Sequence, residues 1–237
     1  MPKHGIYFSK INAWFKTRRR IEKIIRERGY LADNPRDARV IVNFGGDNMR
    51  DDEDVIILNK NTSVMYDKIK MNRKLDEIQV LHPKTYYYPF ANLPNTNKEC
   101  VIKKRNGQMG NHQIFTKFDR IEKSSLNSSD YIQEFIPFET EYRVVVDHRG
   151  VFRVTEKIGQ AKLRNSKSCV FKDRFIPELY DLGSQVCNRM GVDFSGLDVG
   201  LYNGDYYIIE LNSAPSLSER NCEVFAAHLI NLCGDRY

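Results

Sequence analysis

Residues 196–212 read Gly196-Leu-Asp-Val-Gly-Leu-Tyr-Asn-Gly-Asp-Tyr-Tyr-Ile-Ile-Glu-Leu-Asn212. Apolar and polar side chains alternate on both sides of Asn203-Gly204, which is the pattern of a β-hairpin. Leu197, Val199 and Leu201 share one face of the first strand; Tyr207, Ile209 and Leu211 share one face of the second. If both sets cover one core, Leu197 lies opposite Leu211 and Asp198 lies opposite Glu210. A strict two-residue loop would slip the pairing by one and send the two carboxylates to opposite faces. The pattern therefore predicts a three-residue turn or a bulge around 203–205. Asp198 and Glu210 then stand side by side, with Asn212 next along the same face. Like charges directly across a ladder destabilise a sheet. A hard divalent cation that takes oxygen ligands removes this repulsion, and Mg2+ keeps phosphate oxygens and waters as its other ligands. The alternative is a solvated polar face on an edge hairpin.

The 237-residue chain is long enough to bury a proper core as one domain or two compact lobes. With 29% charged and 41% hydrophobic residues it has an ordinary globular composition. No apolar run approaches a membrane span, and the first residues lack the apolar stretch of a signal peptide. Five cysteines without CxxC spacing point to reduced thiols and a cytoplasmic setting. The net charge of +6 favours an anionic ligand without identifying it. The run Lys16-Thr-Arg18-Arg19-Arg20 sits in a helical pattern with Ile11, Trp14, Phe15, Ile21, Ile24 and Ile25 inward. The arginines are therefore expected on its solvent side, which disfavours a nucleic-acid patch.

Along the chain, the spacing predicts strands at 6–8, 40–44 and 55–58 and a helix over 11–28 ended by Gly29. Gly45-Gly46-Asp47 after a strand resembles the end of a small α/β unit, but it is not GxGxxG. A helix is expected over 62–79 with Val64, Ile69, Leu75 and Ile78 inward. Further strands are expected at 100–103, 113–117, 131–136, 141–147 and 151–157. Residues 158–175 read as basic and irregular. Pro177 and Gly191 bracket a helix over 177–190, and a last helix begins near Ser218.

Three further groups point toward a nucleotide. Lys103 precedes a turn containing Gly107 and Gly110, where glycines admit phosphates close to the backbone and a lysine neutralises them. Gln133-Glu134-Phe135-Ile136 can offer backbone groups to an adenine edge, with Phe135 against the ring. Glu141 and Arg143 share a strand face, suited to ribose hydroxyls and phosphate; the competing reading is an ion pair worth less than about 1 kcal/mol if exposed.

In this order the residues resemble the ATP-grasp superfamily, most nearly its carboxylate–amine ligases such as glutamate-adding peptide ligases, glutathione synthetase and D-alanine–D-alanine ligase. Ile57-Leu-Asn59, Asp67-Lys68 and Pro83-Lys-Thr85 look like its entry into the first nucleotide-binding lobe. Val101-Ile-Lys103 with Gly107 and Gly110 looks like its phosphate loop, and Asp198, Glu210-Leu-Asn212 and Pro215 like its magnesium site. The resemblance covers residues 57–220. It implies an α+β ATP-grasp fold with two α+β lobes enclosing ATP, preceded by a small, reduced α/β unit. The implied segments are 1–58, 59–128 and 129–237.

It further implies ATP with Mg2+, or Mn2+ in its place, held by Asp198, Glu210 and Asn212. Lys68 and Lys103 would face phosphates, Glu134, Phe135 and Ile136 adenine, and Glu141 ribose. Asn165 and Arg164 would lie near the triphosphate, with Arg164 and Arg143 stabilising the transferred phosphoryl group. Two departures touch the phosphate loop: Lys104 replaces the family's proline, and His112 replaces a glycine.

The function so implied is an ATP-dependent ligase joining a small-molecule or peptide carboxylate to an amine through an acyl phosphate. The rival readings are a kinase on the same scaffold acting on a small-molecule hydroxyl, and a non-catalytic nucleotide- or RNA-binding module.

Overall fold

The computed structural model describes residues 5–9, 16–44, 54–60, 62–106, 113–147, 150–158 and 170–234. Outside them fall Ile11, Trp14 and Phe15, Gly45-Gly46-Asp47, Gly107, Gly110, His112, Arg164 and Asn165.

The chain begins with a three-stranded parallel sheet, β1 (Gly5–Phe8), β2 (Ala38–Val42) and β3 (Ile56–Leu58), in that spatial order. Helix α1 (Lys16–Glu27) joins β1 to β2 and stops at Gly29, whose φ of 77° suits a residue without Cβ. One face of this sheet shares a core with α1 and the last helix, α5 (Glu219–Gly234): Ile6, Phe8, Ile21, Ile25, Val40, Val42, Phe225 and Leu229 meet there. Arg18 departs from the expected solvent position. It is 6% exposed, donates to the carbonyls of Ser9 and Phe8 and pairs with Glu22 at 2.8 Å. Carbonyls at the end of a parallel strand need donors, and this arginine supplies them. Arg19 and Arg20 are exposed as expected.

The helix expected over 62–79 is two helices, α2 (Thr62–Tyr66) and α3 (Lys68–Glu77), broken at Asp67. Asp67 is the N-cap of α3: its carboxylate accepts from the N–H groups of Ile69 and Lys70 at 3.1 and 3.2 Å, which diverts the backbone from a continuous helix. The same carboxylate holds Arg105 at 2.5 Å, at the root of the expected phosphate loop. Burial pushes the Asp67 carboxyl up, but Arg105 and the two N–H groups outweigh it and hold it below the usual carboxylate range. A depressed acid stabilises the fold above its unfolded pKa, and that contribution fades as pH falls through the folded one. Asp67→Ala is expected to cost about 1 kcal/mol at pH 7, with the gap from wild type narrowing as pH falls below about 4. Urea denaturation across that range measures it.

A four-stranded sheet follows, ordered β4 (Thr85–Tyr87), β7 (Asp130–Glu134), β5 (Glu99–Lys104), β6 (Ile114–Lys117). Phe90, Cys100, Phe118 and Ile132 form its core. The larger sheet is antiparallel, ordered β10 (Val170–Arg174), β9 (Gly150–Ile158), β8 (Thr140–Asp147), β11 (Phe194–Tyr202), β12 (Asp205–Asn212). Strand β10 lies in the stretch expected to be irregular. Its residues are mostly exposed, so they lack the alternation that marks a half-buried strand; backbone pairing with β9 defines it. Helix α4 (Pro177–Met190) matches its expected bounds and closes the core over α3, β8, β9, β11 and β12.

The β11–β12 hairpin has the expected register, with Leu197 opposite Leu211 and Asp198 opposite Glu210. The device that achieves it differs. The loop is a strict two-residue Asn203-Gly204 turn with φ of 52° and 84°, the conformation this dipeptide favours. The extra residue is Ile209, bulged between Ile208, opposite Val199, and Glu210, opposite Asp198. The bulge switches the inward face, so β12 covers the core with Tyr206, Ile208 and Leu211 rather than Tyr207, Ile209 and Leu211.

Candidate nucleotide and metal site

Arg143 on β8, Asp198 on β11 and Glu210 on β12 are directly opposed across three neighbouring strands. They form one row of alternating demand: a guanidinium, then two carboxylates. Arg143 grips Asp198 through Nε and Nη2, the latter at 3.0 Å. Glu210 is met from above by Lys68 at 2.5 Å. Lys68 is 8% exposed at the first turn of α3, and its ammonium also donates to the carbonyls of Met65 and Leu211. Burial raises the Asp198 pKa, Arg143 opposes that rise, and Glu210 and Glu141 add to it by repulsion. Burial disfavours the charge on Arg143, but the two carboxylates outweigh it and the guanidinium stays cationic.

The site face of β11 reads Gly196, Asp198, Gly200. A Cβ at Gly200 would lie 2.3 Å from the ring of Phe138, and one at Gly196 would lie 3.0 Å from Pro215. Bare backbone on both sides of Asp198 thus admits Phe138, on the connection from β7 to β8, on one side and the turn after Asn212 on the other. Asn212 lies opposite Gly196, two residues beyond Glu210 on the same face. The donor set is two carboxylates and an amide oxygen, hard ligands suited to Mg2+. Among the described residues no three His, Cys, Asp or Glu side chains cluster for metal binding.

The other expected residues lie on β5, on β8 and on the segment that leads from β7 to β8. Glu141 pairs with Lys157, directly opposite on β9, at 2.7 Å, so it and Arg143 have separate partners instead of pairing with each other. Glu134, Phe135 and Ile136 run from β7 into the connection to β8. The N–H groups of Glu134 and Phe135 donate to Lys84 and Glu99 carbonyls at 3.0 Å, which anchors the segment to the four-stranded sheet. Phe135 meets Phe115 edge-on. Lys103 reaches across to Gln133 Oε1 at 2.5 Å. Gln133 donates onward to Asn72 and Thr85, at 2.9 and 3.0 Å. Asn72, Gln133 in a side-chain role, and Lys157 were missed from sequence. Asn72 carries no signal in a helical pattern, and Gln133 is a lone polar residue in a strand pattern.

Comparison with protein families matches residues 65–216 to the ATP-grasp domain. The chain belongs to the ATP-grasp family. The expected α+β ATP-grasp fold is borne out as well. The ATP-grasp ligase PsnB, complexed with a phosphomimetic variant of a minimal precursor, Mg and ADP, superposes with a TM-score of 0.67 at 11% identity. That alignment covers 98% of this chain and 99% of PsnB. The macrocyclase MdnB from Microcystis aeruginosa MRC gives 0.64 at 15% identity, covering 96% and 99%. A RimK domain ATP-grasp protein from Sphaerobacter thermophilus gives 0.60 at 14%, covering 97% and 98%. Comparison with curated protein sequences gives no significant match.

Proposed function

We propose that this ATP-grasp protein is an ATP-dependent carboxylate–amine ligase that forms an amide or peptide bond through an acyl phosphate. The observation that carries the reading is the registered row Arg143–Asp198–Glu210, with Lys68 seated on its outer end. Asp198, Glu210 and Asn212 would hold Mg2+, which supplies charge neutralisation of the phosphate oxygens. Lys68 and Lys103 add positive charge to the phosphate chain. Glu134, Phe135 and Ile136 line the adenine, and Glu141 meets the ribose. Nucleotide thus lies between the four-stranded and five-stranded sheets, in the segments 59–128 and 129–237.

A substrate carboxylate oxygen attacks the γ-phosphorus and ADP leaves, giving the acyl phosphate. An amine then attacks its carbonyl carbon, phosphate departs, and the amine nitrogen loses a proton. Such transfers need positioning and charge stabilisation more than a nucleophilic side chain. Arg143 stabilises the transferred phosphoryl group, and Arg164 with Asn165 is assigned beside it from the sequence resemblance. PsnB and the macrocyclase MdnC have been seen with precursor peptides, which supports a peptide carboxylate as the acid. The buried free thiols of Cys100, Cys187, Cys222 and Cys233 support a reducing, cytoplasmic setting.

Hydroxylamine distinguishes this reading from a kinase, because it captures an acyl phosphate as a hydroxamate and leaves a phosphate ester intact. Incubation with Mg·ATP, hydroxylamine and pooled acids or acidic peptides is expected to give hydroxamate and free phosphate. A stable phosphorylated product without hydroxamate would assign a kinase. Within the same site, Lys103→Ala is expected to weaken ATP binding more than AMP binding, because its partner is the phosphate chain. Equal loss for both, measured calorimetrically, would place that side chain elsewhere.

A further inference from the structure

We propose that Gln133 and Asn72 are positioning residues that aim the Lys103 ammonium at nucleotide phosphates and tie it to Lys68. The proposal rests on the nucleotide site described above. Its basis is one directional chain of hydrogen bonds through the interior. Lys103 Nζ donates to Gln133 Oε1 at 2.5 Å, Gln133 Nε2 donates to Asn72 Oδ1 at 2.9 Å, and Asn72 Nδ2 donates to the Lys68 carbonyl at 2.6 Å. The chain crosses β5, β7 and α3, and ends at the residue whose ammonium holds Glu210.

Each amide in the chain can point only one way. Gln133 and Asn72 are 2% and 1% exposed. The Asn72 NH2 group is committed to a backbone carbonyl, which turns its oxygen toward Gln133. Gln133 has two N–H donors, and these meet Asn72 Oδ1 and Thr85 Oγ1. Thr85 in turn donates its hydroxyl hydrogen to the Pro83 carbonyl at 2.9 Å, so toward Gln133 it acts as an acceptor. The Gln133 oxygen must therefore face Lys103. This gives a physical role to Thr85 of the Pro83-Lys-Thr85 motif: it sets the orientation of the glutamine.

The chemistry of the acceptor matters as much as its place. A carboxylate opposite Lys103 would cancel the charge intended for phosphate. A neutral amide fixes the ammonium by one hydrogen bond and leaves that charge intact. Two buried amides cost desolvation free energy that an apolar pair would not, and full hydrogen bonding only offsets it. Packing alone gives no reason for a neutral polar chain between the two lysines.

The test compares Gln133→Glu, Thr85→Val, Lys103→Ala and the double variant Gln133→Glu/Lys103→Ala with wild type, by calorimetric binding of Mg·ATP and of AMP. Gln133→Glu keeps the size of the side chain but places a carboxylate on the ammonium and removes two donors. It is expected to weaken Mg·ATP about tenfold, as a lost charge-assisted contact does, with AMP changed less than about twofold. Adding it to Lys103→Ala is expected to bring no further loss, because the two act as one unit. Thr85→Val, nearly the same shape, is expected to move Mg·ATP in the same direction by about threefold, the scale of one neutral hydrogen bond. Equal losses for ATP and AMP, or additivity with Lys103→Ala, would mean the amides merely support the fold and would overturn the proposal. If Gln133→Glu does not fold, an unchanged ATP-to-AMP ratio in Thr85→Val overturns it equally. Failure of wild type to bind either nucleotide would instead remove the nucleotide site itself, and the proposal with it.

Discussion

Glu210→Ala is expected to abolish Mg2+-dependent stabilisation by ATP while leaving the apo protein folded. At about one hundred times its dissociation constant a ligand adds about 2.7 kcal/mol. For a chain of this size that raises the melting temperature by about 5–10 °C. Asp198 and Glu210 sit opposite each other at one register position, so a cation between them needs both. Removing Glu210 leaves Asp198 with Arg143, an ion pair already complete, and the proposed metal position loses one of its two carboxylates. The fold survives because Glu210 is only partly buried and its neighbours Leu211 and Ile208 carry the packing. The released Lys68 ammonium still has the carbonyls of Met65 and Leu211. Thermal melts with ATP and Mg2+, with and without EDTA, measure the effect. Wild-type stabilisation in this variant, or in Asp198→Asn, would move the metal site elsewhere.

Asn59→Ala is expected to lower global stability by about 3 kcal/mol, with a fall in melting temperature of about 6–12 °C. Asn59 is fully buried at the end of β3, and its side chain reaches the start of β11. Its Oδ1 accepts from the N–H groups of Asp193 and Phe194 at 2.8 and 3.1 Å, and its Nδ2 donates to the Phe194 carbonyl at 2.9 Å. Its own N–H donates to the Asp193 carboxylate at 2.5 Å, and its carbonyl accepts from Asn43. The residue thus staples the N-terminal sheet to the strand that carries Asp198. Alanine strands the buried N–H and carbonyl of Phe194, each worth about 1–3 kcal/mol when unpaired, and the partly buried N–H of Asp193. It must also hold the φ of 55° that asparagine tolerates. Asn59→Gly relieves the φ strain alone, so a loss nearly as large as that of alanine identifies the hydrogen bonds as the cause. A loss below about 1 kcal/mol in both would show that the staple is dispensable.

What could be read directly was whatever depends on neighbours in sequence. Alternation around Asn203-Gly204 implied the hairpin and the pairing of Asp198 with Glu210, because strand faces repeat every two residues. Pro177 and Gly191 bracketed α4 because one suits a first turn and the other a left-handed cap. Where the extra residue of the hairpin would sit was not legible. Turn chemistry and pairing across three strands compete for it, and the Asn-Gly dipeptide takes the strict turn, so the bulge moves to Ile209. Arg18 was misplaced for a related reason: helical periodicity cannot show that the carbonyls of Phe8 and Ser9 need a donor there.

The sequence by itself therefore determined the carboxylate pair, the order of the nucleotide motifs and the family they resemble. The tertiary structure alone decided which cation meets which anion. Arg143 lies beside Asp198, Lys157 beside Glu141 and Lys68 above Glu210 through strand order and the seating of α3. Lys103 meets Gln133, and Gln133 meets Asn72, across separations of 30 and 61 residues. Local pattern reports which face a side chain occupies. Only chain closure, driven by burial of the apolar cores beneath those faces, chooses the partner waiting there.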